Sequence, residues 1–156
     1  GWSSVTWGVG IIAVDNNSHY CYVQWWGAYN IHLRGQLWNS SYSYRYDGEG
    51  TWDGSYQGLT IRARRRGHTC SLYVTGTPSS ALASASAYVN IVTDLPEIFR
   101  PTIGYVNYIF YNATICGQLN VTTDGYVRIG YTRDIANKTN QNLSNTIYAR
   151  VTYEVQ

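Results

Sequence analysis

Ten residues near the end of the chain alternate without a break. Ile147, Ala149, Val151, Tyr153 and Val155 take turns with Tyr148, Arg150, Thr152, Glu154 and Gln156. A period of two over that length predicts a strand with one buried face. The same period recurs on either side of Asp124-Gly125. Leu119 and Val121 alternate with Gln118, Asn120 and Thr122, then Val127, Ile129 and Tyr131 alternate with Arg128, Gly130 and Thr132. Asp-Gly between two alternating runs predicts a hairpin closed by a type I′ turn, which needs positive φ at both central residues. Leu59, Ile61 and Ala63 alternate with Thr60, Arg62 and Arg64; the stretch Arg65-Arg66-Gly67-His68 turns the chain, and Leu72 and Val74 form the returning arm. No stretch supports a helix of three turns.

The remaining segments fit the same pattern. Residues 9–14 are apolar and precede a turn at Asp15-Asn16-Asn17-Ser18. A strand over 19–26 carries aromatic residues on both faces, and Ile31 and Leu33 mark a short third strand. Further strands are expected over 88–93 and 105–115, with loops at 76–87 and in the Asn-rich 133–145. About nine to eleven short strands separated by turn signals predict an all-β chain, an antiparallel β-sandwich of jelly-roll or Greek-key type. Its 156 residues are expected to form one domain, 1–156.

Composition narrows the function. Charged residues make up 13% of the chain, against about a quarter in ordinary domains. The net charge of +2 lacks the broad basic footprint of a nucleic-acid binder. No apolar run approaches the roughly 20 residues of a membrane span. Neither nucleic acid nor membrane insertion is therefore expected. Cys21, Cys70 and Cys116 are far apart and form no CxxC pair, so they read as small buried apolar residues. With His19, His32 and His68 scattered and no HExxH or GxSxG present, no metal, cofactor or catalytic activity is expected. Asp47, Glu49 and Asp53 are the carboxylates that a glycosidase pair would draw on. The Asn-x-Ser/Thr sites at Asn16, Asn39, Asn112, Asn120, Asn137 and Asn142 follow from an Asn-, Ser- and Thr-rich composition; Asn120 lies within a strand of the hairpin.

Residues 39–58 stand apart. They hold five Tyr and Trp residues, four glycines and three acids, with no aliphatic side chain, and so read as a long surface loop with a ribbon at 42–46. Aromatic faces stack on the C–H faces of sugars, and acids, amides and arginines bond their hydroxyls. Trp38, Tyr44, Asp47, Trp52 and Asp53 are thus the expected saccharide-binding residues; packing beneath the loop or into an oligomer interface is the alternative for the aromatics. Arg62, Arg64 and Arg66 would line one strand face. They read as a solvated face or as partners for carboxylates across subunits, and as a ligand site would suit a phosphate-bearing polysaccharide better than DNA.

The run Leu95-Pro96-Glu97-Ile98-Phe99-Arg100-Pro101-Thr102 holds two prolines that rule out a regular helix and favour extended geometry at Leu95 and Arg100. This run, then a strand, then GQLNVTTDGYVRI, resembles the C-terminal head domain of phage tail-fibre and baseplate receptor-binding proteins. The resemblance covers the chain from Leu95 onward and carries no ligand residues over. It implies a homotrimer at the tail tip or fibre of a virion, binding host cell-wall polysaccharide and joined to other tail proteins through a preceding N-terminal part. A chain that starts at Gly1 and contains no Met is expected to be a C-terminal piece of a longer polypeptide. A carbohydrate-binding module of a secreted bacterial enzyme and a tail module with only a structural role are the alternatives.

Overall fold

The computed structural model describes residues 49–156 throughout and, before them, the strand backbones β1 (Ile11–Val14), β2 (Cys21–Gln24), β3 (Gln36–Trp38) and β4 (Tyr42–Arg45). The chain divides into two compact units, Gly1–Leu33 and Arg34–Gln156. In the first, β1 and β2 pair antiparallel, Ile11 opposite Gln24 and Val14 opposite Cys21. The turn expected at 15–18 and the strand expected around Ile31 lie outside the described residues.

The second unit is all-β and sandwich-like. It adds β5 (Glu49–Tyr56), β6 (Leu59–Arg66), β7 (Thr69–Gly76), β8 (Tyr88–Val92), β9 (Tyr105–Tyr111), β10 (Ile115–Thr122), β11 (Val127–Asp134) and β12 (Ile147–Glu154). One sheet runs β12-β7-β6-β5-β4-β3 and the other β8-β11-β10-β9, with every pairing antiparallel. The alternation read along 147–156 is realised on β12, where Ile147, Ala149, Val151 and Tyr153 are buried and the residues between them exposed. Leu59, Ile61, Ala63, Leu72 and Val74 of one sheet share a core with Phe110, Leu119, Val121, Val127 and Ile129 of the other. No helix among the described residues is long and apolar enough to cross a membrane.

Two local expectations need correction. Residues 49–56, read as part of a long loop, form a full strand of the larger sheet, beside the 42–45 strand where a ribbon was expected. The strand needs no aliphatic residue because Trp52 supplies the buried surface. Its indole is in the core and lies over Gly54, two residues along on the same face, where a Cβ would come within 2.9 Å of Cζ2. The turn at Asp124-Gly125 is not type I′. Only Gly125 has positive φ (+93°), its N–H donates to Thr122 O, and the Thr122 hydroxyl oxygen accepts the Tyr126 N–H. Thr123-Asp124-Gly125 is a three-residue loop ending in a left-handed glycine. Among the described residues, a two-residue turn with both φ values positive is formed instead by Gln57-Gly58, between β5 and β6. The proline segment is as expected at Arg100, which is extended, and holds no regular helix, only a single 3-10 turn, Glu97–Phe99, between the prolines.

That proline segment docks on the hairpin loop. Leu95 N–H donates to Gly125 O at 2.9 Å, Arg100 Nε donates back to Leu95 O, and Leu95 and Phe99 are fully buried. The Tyr153 hydroxyl donates to Phe99 O at 2.7 Å, and the Cys70 thiol lies against Tyr153. Cys70 is buried and free, as expected of a structural cysteine, and Cys116 is half-buried. Burial pushes the pKa of both the Cys70 thiol and the Tyr153 hydroxyl above their ordinary ranges. The folded state then holds protons that the unfolded chain releases once pH passes the 9.0 of a free thiol, so stability is fully present below that pH and falls above it. Urea midpoints should be level from pH 6 to 8 and drop by pH 10, with a shallower drop in Cys70→Val; equal slopes in the two proteins would refute the assignment.

Candidate functional site

The outward face of the four-stranded sheet carries a different chemistry from its inward face. On β10, Gln118, Asn120 and Thr122 alternate with the buried Leu119 and Val121, and the register sets Asn120 between Asn107 of β9 and Arg128 of β11. Tyr105 of β9 stands opposite Thr122. Tyr88 of β8 pairs with Gly130 of β11, which in turn pairs with Gln118. With no side chain at Gly130, the Tyr88 ring lies over it; a Cβ there would sit 2.6 Å from the ring's Cδ1. The ring therefore crosses β11, and its hydroxyl donates to Gln118 Oε1 at 2.6 Å, an oxygen that also accepts from Asn107 Nδ2 at 3.3 Å. Tyr131 packs edge-on to Tyr88 with ring centroids 5.0 Å apart.

These side chains enclose an open hollow of about 580 Å³, walled by Tyr88 and Tyr105, floored by Gln118 and Asn120, and flanked by Asn107 and Arg128. Asn120 is 5% exposed, so its amide serves the floor. Burial pushes the Tyr88 pKa up, and the neighbouring Tyr131 and Tyr105 add to it, while Arg128 pulls the other way. The hydroxyl stays a neutral donor and acceptor at physiological pH. Two tyrosine rings, three side-chain amides and a guanidinium around one concavity are the equipment for a ligand with apolar faces and many hydroxyls.

Of the residues singled out from sequence, Trp52 and Asp53 fall elsewhere. Trp52 is 9% exposed and belongs to the core, so its ring faces are already occupied by protein. Asp53 is exposed on the outward face of β5, where its carboxylate accepts from Arg64 at 2.8 Å and lies 3.8 Å from Arg62. Trp38 and Tyr44 are on β3 and β4, with side chains outside the described residues, as is the whole of Asp47. The described residues thus bring Arg62, Arg64 and Asp53 together but form no aromatic cluster there.

The arginine face has its own hollow, also about 580 Å³, lined by Glu49, Thr51, Arg64, Arg66, Tyr73 and Arg150 among others. Part of its charge is matched. Asp53 serves Arg62 and Arg64, Arg66 is paired in register with Glu49, and Arg150 lies over the Tyr73 ring at 5.3 Å. Arg65 points the other way and is 6% exposed. No group of three or more His, Cys, Asp or Glu side chains able to hold a metal ion occurs among the described residues.

The residues of the first hollow were visible as the polar half of an alternating pattern, which reads as a solvated face. The signal that could have raised them is the density of amide side chains at alternate positions, Asn107, Gln118 and Asn120, beside tyrosines. Comparison with known proteins finds no family model that matches the chain, and no match among curated proteins.

Proposed function

We propose that this chain is the receptor-binding head of a phage tail fibre or baseplate, a homotrimeric β-sandwich of jelly-roll or Greek-key type that adheres to host cell-wall polysaccharide. The observation that carries the adhesive reading is the tyrosine- and amide-lined hollow on the four-stranded sheet. It offers stacking faces and hydrogen bonds of both kinds without a cluster of titratable groups for chemistry. The tail assignment rests on the sequence resemblance, whose two motifs, the proline segment and the Asp-Gly hairpin, pack on one another through Leu95 and Gly125. Location at the virion tail tip and attachment through other tail proteins follow from the same resemblance.

An edge strand supports self-association. β9 ends the four-stranded sheet, carries no charged residue, and exposes Tyr105, Tyr108, Ile109 and Tyr111. β9 runs close to β12, so these exposed, uncharged side chains offer an apolar surface to another chain rather than a free edge. Each head would hold its saccharide weakly, since an open polar site recovers little free energy after the costs of association. Linked copies would then give firm adhesion through effective concentration.

Light scattering of the purified chain should give about three times 17.6 kDa, and Tyr105→Ala and Asn107→Ala should each weaken retention on host cell-wall polysaccharide by roughly three- to tenfold per head. A monomer that still binds polysaccharide would move the assignment to a carbohydrate-binding module. A trimer indifferent to both substitutions and to polysaccharide would leave a structural tail module.

A further inference from the structure

Arg128 differs from the chain's other held arginines. Arg64 is bonded to Asp53 and to two carbonyls, Arg65 to three main-chain oxygens, and Arg100 to Leu95 O and Asp94. Arg128 is steered into the hollow by stacking over the Tyr126 ring, 4.8 Å from guanidinium carbon to centroid, a contact that uses none of its N–H donors. Its Nε is shut off from solvent and has no hydrogen-bond partner, alone in this respect among the described side-chain nitrogens and oxygens. The hydroxyl of Tyr88, beside it, is committed to Gln118. Asp124, which also borders the hollow, accepts the Thr122 hydroxyl at the hairpin loop and forms no ion pair with Arg128 among the described residues. With no side-chain hydrogen bond or ion pair among the described residues, a guanidinium that lines an open hollow is suited to an anionic occupant.

We infer that the saccharide held in this hollow is acidic, and that Arg128 receives its anionic group. The terminal edge of a guanidinium, Nη1 and Nη2, presents two parallel N–H donors, which match the paired oxygens of a carboxylate or a phosphate and exceed what a single sugar hydroxyl can accept. The anion would sit toward Arg128 and away from Asp124, while the uncharged part of the sugar meets Tyr88, Tyr105, Asn107 and Asn120. The inference rests on reading the hollow as a saccharide site, and the two can fail separately.

The test is a titration of the 15N-labelled chain followed at the Arg128 Nε–H signal and at the side-chain amides of Asn107, Gln118 and Asn120. The probes are methyl β-glucuronide, glucose 1-phosphate, methyl β-glucoside and inorganic phosphate. One of the two acidic sugars should move both sets of signals at concentrations about tenfold or more below the neutral glucoside, and which one does so separates carboxylate from phosphate. Arg128→Gln should abolish that preference, so that acidic and neutral sugars act at similar concentrations on the variant, and Arg128→Lys, which keeps charge but loses the two-donor edge, should restore only part of it. Equal responses to acidic and neutral sugars would overturn the inference and leave the saccharide site standing. Inorganic phosphate matching glucose 1-phosphate, with the amides silent, would replace it with a bare anion site. No response to any probe would overturn both.

Discussion

Arg65→Ala is expected to lower the unfolding free energy by about 3 kcal/mol or more, the largest effect of any substitution in the arginine run. Arg65 enters the core side of β6 and donates to Gly67 O at 2.8 Å, to Ile98 O at 2.8 Å and to the main-chain oxygen of Gln156. Those oxygens belong to the β6–β7 turn, the 3-10 turn and the residue beyond β12, so one side chain ties three separated segments. Removing it deletes all three bonds and leaves a void on the core side of β6 where the 6% exposed side chain had been. Lysine at this position should recover only part of the loss, because one ammonium cannot span three acceptors set for a planar fork. Arg62→Ala, at a side chain 59% exposed, should stay within about 0.5 kcal/mol of the parent. Urea unfolding followed by tryptophan fluorescence checks all three; equal midpoints for Arg65→Ala and Arg62→Ala would refute the clamp.

How much of this was legible in the sequence differs from residue to residue. Period two already sets Arg62, Arg64 and Arg66 on one face and Arg65 on the other. What Arg65 holds was not legible, because two of its acceptors lie 33 and 91 residues away. The Asp-Gly hairpin was located correctly, yet its turn type was not, since the Thr122 hydroxyl bonds the Tyr126 N–H and stabilises a longer loop. The hollow shows the same limit. Gln118, Asn120 and Arg128 could be placed on an outward face by alternation, but Tyr88 joins them only through the order β8-β11-β10 and the bare backbone of Gly130. Alternation along a strand carries no information about which strand lies beside it.

Trp52→Ala should cost about 3 kcal/mol, comparable with other large-to-small changes in a core. The indole is 9% exposed, lies over Gly54, and is the large side chain that lets a strand without aliphatic residues close its part of the core. Phenylalanine should return much of that stability by covering the same glycine with a smaller ring. Saccharide retention provides the discriminating readout. With the hollow on the other sheet as the binding site, Trp52→Ala should hold polysaccharide as the parent does at temperatures where both are folded. A stacking role for Trp52 requires the reverse, lost retention at unchanged stability, because a ring that grips a ligand must have a face free to do so. Measuring both midpoint and retention on the one variant therefore separates the residue that the sequence offered as a sugar platform from the core position that the fold assigns to it.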